Sequence, residues 1–355
     1  MSRIPLAGPS VWHGNDIKDS KRWIRDLPRE AIAELDAALK AVKGRPWQEI
    51  TRADFPLPTL RPLFEDIADE LENGCGIVKL RGFAVDRYDE DDLRRLYFGF
   101  GSHLGMPVFQ NRSGELMRAI RDEGAHVGRT YGQIESGQVR DGKKGTTFLS
   151  SYARTLTNGG LRFHTDRTDV VGLLCVRQAR KGGVSTLAST PAIHNAILTR
   201  RPDLLEVLFQ DFWRSRFGEE GTTKETAYPL PIFGLRDGKL TSHYSLTFIE
   251  AAQMAPGVPK LIDRQKEAID VLMQTAQELC FEMTLEPGDL QLINSHVTYH
   301  GRTPFEDDAM SGHDRLLLRL WLSMPNNRAL PQGHEILWRN IEAGQLRGGI
   351  QQVAL

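Results

Sequence analysis

A chain of 355 residues, 40% hydrophobic and 26% charged, carries enough apolar material for a sizeable core, which excludes the disordered, fibrous and collagen-like classes. Its 45 Lys+Arg against 46 Asp+Glu leave a net charge of -1, without the basic excess that a phosphate-binding surface needs, so nucleic acid is not expected as a partner. Only three cysteines occur, Cys75, Cys175 and Cys280, which offer neither a disulfide framework nor a Cys-x-x-Cys pair and read as a reducing compartment. No apolar run approaches the roughly 20 residues of a membrane span, and the first residues lack an apolar signal core. The expectation is a soluble cytoplasmic protein with no membrane partner.

In chain order, Pro28 to Val42 carries apolar residues at Ile32, Leu35, Leu39 and Val42 and stops at Gly44, the period of a helix. Leu60 to Glu72 repeats that pattern and closes at Gly74. GIVKLRG (76–82) reads as a strand, and the acidic run Asp89 to Asp92 opens a further helix through LRRLYFGFGSHLG. From about Phe148 the texture changes to short strands, FLSSYAR, LRFHTD, DVVGLLCVRQA and VSTLAS, separated by Gly and Asp turns. Helical stretches return over Pro191 to Phe209, interrupted near Pro202, and over Pro259 to Cys280, with aromatic-rich, loop-like sequence between them. Strands resume after Phe281. Near the end, Leu316, Leu318, Leu320 and Leu322 alternate with Arg315, Leu317, Arg319 and Trp321 at the two-residue period of a strand. One face is leucine core; the other presents two arginines, a costly choice for a buried face unless anions await them. No repeats or linkers divide the chain, so one domain is expected over 1–355, with a helical N-terminal region to about 75 and a helical insertion at about 190–280.

Two nucleotide-binding patterns fail on inspection. Gly99 to Gly105 has one residue too many for the dinucleotide fingerprint and ends a helix instead of opening one. GQVRDGKK (137–144) has Lys144 where a phosphate loop needs Ser or Thr. The informative segment is LRFHTDRTD (161–169), where His164 and Asp166 lie two apart and project from one face of a strand, so that both can reach one metal ion. Downstream, PGDLQLINSHVTYHGR (287–302) supplies a turn, an alternating strand and His300 before a glycine. Two histidines and one carboxylate leave three positions of an Fe(II) ion open for a bidentate co-substrate and oxygen. His300 is the preferred third ligand, and His296 is its rival.

HTD at 164–166, HGR at 300–302 and the arginine strand at 315–319 resemble the taurine dioxygenase (TauD/TfdA) family of Fe(II)- and 2-oxoglutarate-dependent oxygenases. GIVKLRGF (76–83), LGMPVFQN (104–111) and KGGVST (181–186) follow the same order, so the resemblance covers most of the chain. It implies a mainly β fold with α additions, a double-stranded β-helix or jelly roll with a helical insertion and flanking helices. It further implies Fe(II) on His164, Asp166 and His300, with 2-oxoglutarate and O2 as co-substrates. The far carboxylate of 2-oxoglutarate would lie on Arg315, with the hydroxyl of Ser185 beside it, and Arg319 matches a second arginine that in some members reaches toward an acidic substrate. A planar guanidinium suits a carboxylate bidentately. Four residues apart, the two arginines lie roughly 13 Å from one another at about 3.3 Å per residue, which favours a division of labour between co-substrate and substrate.

The expected enzyme is therefore an oxidoreductase that hydroxylates, desaturates or cyclises a small, acidic organic molecule and releases succinate and CO2. LTSHYSLTF (240–248) gives no signature for the substrate, and the sequence leaves a homo-oligomer open. The competing classes are a zinc-dependent hydrolase on the same ligands and a non-catalytic jelly-roll binding protein. A dicarboxylate anchor behind the metal argues against the hydrolase, because a hydrolytic water needs none.

Overall fold

The computed structural model describes residues 3–124, 133–134, 148–216 and 227–351. The GQVRDGKK segment lies outside them. Eleven strands build the two main sheets: β1 (Ile24–Asp26), β2 (Ile77–Arg81), β3 (Met106–Pro107), β4 (Met117–Ile120), β5 (Leu161–His164), β6 (Val170–Arg177), β7 (Ser185–Ser189), β8 (Phe281–Met283), β9 (Leu290–Asn294), β10 (Thr298–Arg302) and β11 (Leu316–Ser323). The larger sheet runs β1-β2-β9-β6-β11-β3, with β4 also paired to β11, and the smaller runs β8-β7-β10-β5. Apart from the parallel β1/β2 pair, these ladders are antiparallel. The two sheets face each other as a jelly roll.

Side-chain parity divides the core into layers. On β11, Leu316, Leu318, Leu320 and Leu322 join one apolar cluster with helices α1 (Arg29–Ala41), α2 (Arg61–Glu72) and α3 (Glu90–Leu104). Leu317 and Trp321 belong instead to the cluster between the sheets, with Val171, Leu187 and Ile293. The outer face of the smaller sheet, with Phe163, Ala188 and Tyr299, packs on α4 (Thr190–Arg200), α5 (Pro202–Leu208) and α7 (Asp263–Leu279); α6 (Leu246–Ala252) joins the same cluster through Ile249. A strand buried on both sides needs apolar residues at every position, and β11 meets that requirement except at Arg319 and its last residue, Ser323.

The sequence pattern places most of these elements within a residue or two, while α7 begins at Asp263, four residues after the expected start at Pro259. The Asp89 carboxylate accepts from the Asp92 amide and caps α3, while Pro202 begins α5 after the break at Arg201. Gly105 is the C-cap of α3, as expected for a glycine ending a helix. Two stretches differ. FLSSYAR is a two-residue strand followed by a helical turn, Ser151–Thr155, because the Ser150 hydroxyl caps the Ala153 amide. Between α5 and α7, where periodicity suggests only loop, the described residues form the antiparallel pairs Asp211–Ser215 with Ala227–Pro231 and Phe233–Arg236 with Lys239–Ser242. Their strands are four or five residues long and two prolines interrupt one of them, which erases the alternation that marks a strand.

Candidate functional site

β5 and β10 are neighbours in the smaller sheet, and their register sets His300 directly opposite His164. Asp166 follows two residues after His164, past the strand end. One ligand atom of each of these residues lies within 4.8 Å of the others. His164 Nε2 is 3.9 Å from Asp166 Oδ1, and His300 Nε2 is 3.8 Å from Asp166 Oδ2. The His164 Nδ1–H donates to the Arg162 carbonyl at 2.9 Å, so its Nε2 lone pair is free to face the carboxylate. Burial, helped by the charge of His164, pushes His300 down to about 3, which keeps it a neutral donor.

Burial alone would raise the pKa of Asp166. The Arg319 guanidinium, together with the two facing imidazoles and the Trp321 indole, outweighs it and holds the carboxyl below its usual range. Trp321 Nε1 donates to Asp166 Oδ2 at 3.1 Å and orients that carboxylate. Two imidazoles and one carboxylate, each offering a ligand atom to one point, are a donor set that fits Fe(II).

His296 stands elsewhere. Its Nε2–H donates to Asp169 Oδ1 at 2.9 Å, its Nδ1 accepts from the Thr241 hydroxyl at 2.6 Å, and its ring lies against Trp338 with centroids 4.8 Å apart. Both ring nitrogens are occupied.

Two adjoining cavities meet at the triad. The first is lined by Ser185, Arg302, Arg315 and Arg319 as well as the three ligands, and so gathers every residue that the family resemblance assigns to the site. Ser185 and Arg315 are each 6% exposed. The Arg315 Nη1 is buried with no hydrogen-bond partner among the described residues, and burial pushes its guanidinium down to about 10. Gly183 explains how Arg315 enters: a Cβ there would sit 2.9 Å from Arg315 Nε, and its φ of +69° suits glycine.

The second cavity is lined by His164, Asp166, Arg319, His243, Ser245 and Phe248, among others. Arg319 is gripped at its Nε by Gln110 Oε1 at 2.7 Å, and its Nη1 lies 4.0 Å from Asp166 Oδ2. Gln110 is itself held, its amide nitrogen donating to the carbonyls of Leu116 and Arg319 at 3.0 and 2.8 Å.

Sequence reasoning passed over Gln110, Arg302 and Trp321. For Arg302 and Trp321 a signal existed, since each lies two residues along a strand from a singled-out residue and so shares its face. Gln110 carries none, because its partner is 209 residues away. His243, Ser245 and Phe248 place the uninformative 240–248 segment at the cavity wall.

The family described as "Taurine catabolism dioxygenase TauD, TfdA family" matches residues 40–321. The chain is 30% identical to FR-33289 synthase of Streptomyces rubellomurinus (strain ATCC 31215), over 92% of this chain and 93% of that protein. It is 28% identical to the taurine hydroxylase-like protein SAT17 of Stachybotrys chartarum, over 89% and 80% of the two chains. Among solved structures it resembles an asparagine oxygenase in complex with Fe(II), 2S,3S-3-hydroxyasparagine and succinate, with a TM-score of 0.62 at 15% identity over 85% and 93% of the chains. The non-heme iron oxygenase OrfP, in complex with Fe and alpha-ketoglutaric acid, superposes with a TM-score of 0.58 at 16% identity over 86% and 96%. The hydrolase and binding-protein alternatives fall away, and no described helix is long and apolar enough to cross a membrane. Sequence, fold and donor set agree: the chain belongs to the TauD/TfdA family of Fe(II)- and 2-oxoglutarate-dependent oxygenases.

Proposed function

We propose that this oxygenase hydroxylates a small molecule bearing an anionic group, with His164, Asp166 and His300 holding Fe(II), Arg315 and Ser185 holding the far carboxylate of 2-oxoglutarate, and Arg319 receiving the substrate's anion. Bound at the triad, Fe(II) supplies oxygen activation coupled to oxidative decarboxylation of 2-oxoglutarate to succinate and CO2. The protein's part is placement. Arg315 and Ser185 fix one end of the co-substrate. Gln110 holds the Nε edge of Arg319 and leaves the rest of the guanidinium beside Asp166, so an anion docking there carries its neighbouring carbon to the metal side of the cavity. Phe248 and Trp321 add apolar walls that limit water.

The observation that carries the reading is a cationic lining on both sides of the triad, in which, among the described residues, the only carboxylate lining either cavity is Asp166 itself. Taurine, in the family's name, is a sulfonate and agrees in charge. The test is 2-oxoglutarate-dependent succinate release with iron across a panel of amino acids, small carboxylates, sulfonates and their neutral amides, with products read by mass. Acids that gain one oxygen while their amides stay inert support the reading; turnover confined to neutral molecules sinks it.

A further inference from the structure

Strand parity puts Arg302 on the same face of β10 as His300, and the β7/β10 register sets it directly opposite Ser185. Arg302 is 6% exposed. Its Nη2 donates to the carbonyls of Thr157 and Gly159 at 2.7 and 2.5 Å. Its Nε and Nη1 are buried with no partner among the described residues, like the Nη1 of Arg315. Both guanidinium carbons lie over the Phe305 ring, 4.7 Å from its centroid for Arg302 and 5.1 Å for Arg315. Neither arginine has an ion-pair partner among the described residues, and both line the cavity that contains the triad.

Two like charges share this pocket, and three of their donor nitrogens are left unsatisfied. Each buried orphan donor costs roughly 1 to 3 kcal/mol, and more when charged. Tethering the 157–159 segment accounts for Nη2 of Arg302 but leaves its other two nitrogens without a purpose. An anion supplies one. A carboxylate offers about four acceptor positions, which match the three orphan nitrogens and the Ser185 hydroxyl.

We propose that Arg302 is a second guanidinium of the co-substrate anchor, closing with Arg315 and Ser185 on the far carboxylate of 2-oxoglutarate, and that the pair restricts the enzyme to 2-oxo acids with an anionic far end. The proposal rests on the reading that Arg315 holds that carboxylate. Pyruvate is the discriminating probe, because it has the same 2-oxo acid head and no far carboxylate.

Calorimetry on the Fe(II)-loaded protein without oxygen compares 2-oxoglutarate with pyruvate in wild type, Arg302→Gln, Arg302→Lys and Arg315→Gln. Arg302→Gln should weaken 2-oxoglutarate by roughly 10- to 150-fold, the loss of a charge-assisted contact, and leave pyruvate unchanged. Arg302→Lys keeps a donor for the Thr157 and Gly159 carbonyls yet should still lose much of the preference, and it decides the question if Arg302→Gln fails to fold. A purely structural role would weaken both ligands alike. An unchanged 2-oxoglutarate-to-pyruvate ratio in the Arg302 variants, with a collapsed ratio in Arg315→Gln, overturns this proposal alone. An unchanged ratio in Arg315→Gln overturns the reading beneath it.

Discussion

Histidines 296 and 300 lie four residues apart with opposite environments, and that contrast is testable. His300 Nε2 points at Asp166, whereas both nitrogens of His296 are bonded to Asp169 and Thr241. His164→Ala, Asp166→Ala and His300→Ala should each abolish iron binding, while His296→Ala should retain the metal and lose stability by roughly 1 to 3 kcal/mol, the cost of stranding buried partners. Metal analysis paired with denaturant unfolding reads both, and a metal-free His296→Ala that still folds would refute the assignment. A second prediction concerns Gln110, whose oxygen holds Arg319. Gln110→Ala should raise the substrate KM by roughly tenfold, about one charged hydrogen bond, and leave the KM for 2-oxoglutarate unchanged. Equal rises in both would show instead that the whole site has shifted.

Among the elements, β11 combines two functions because its two faces meet different layers. Leu318 packs with the helices, so Leu318→Ala should cost roughly 2 to 5 kcal/mol in denaturant unfolding without changing the affinity of the remaining folded protein for 2-oxoglutarate. The Gly182–Gly183 turn before β7 should behave in the opposite way. Gly183→Ala places a methyl 2.9 Å from Arg315 Nε at a φ of +69°, so it should weaken 2-oxoglutarate binding more than Leu318→Ala does. Calorimetric titration of both variants checks the pair. The alternation of β11 was legible because period two survives eight uninterrupted residues. The insertion hairpins were not, because their strands are only four or five residues long and two prolines interrupt one of them.

Across the whole molecule, a buried network ties the C-terminal segment to Asp169, three residues after Asp166. Asp169 accepts from His296, from Arg347 Nε at 2.7 Å, from Asn327 at 2.8 Å and from the Met324 amide at 3.0 Å. Asp169→Asn would leave Arg347, fully buried, without its carboxylate, a loss of roughly 3 to 5 kcal/mol. The same core holds histidines neutral: burial pushes His296 and His334 down to about 4 from an ordinary 6.5. The unfolded chain therefore binds more protons than the folded one between those values. Stability from these two residues is complete above pH 6.5 and is lost as pH falls toward about 4, with a slope approaching about 1.4 kcal/mol per pH unit for each. Denaturant midpoints at pH 7 and pH 5 measure this, and equal midpoints would contradict it.

The sequence alone determined what depends on local period and short spacing. His164 and Asp166 share a short motif, β11 alternates over eight residues, and glycine and proline punctuate the helices; each of these is set by backbone geometry within a few residues. The tertiary structure decided what depends on which strands become neighbours. Only the register of β10 against β5 brings His300 to His164, and only its register against β7 sets Arg302 opposite Ser185. Only the approach of residue 110 to residue 319 fixes the Arg319 guanidinium. A two-residue period tells which face a side chain takes but not which strand lies across from it, because pairing is selected by burial of the whole sheet.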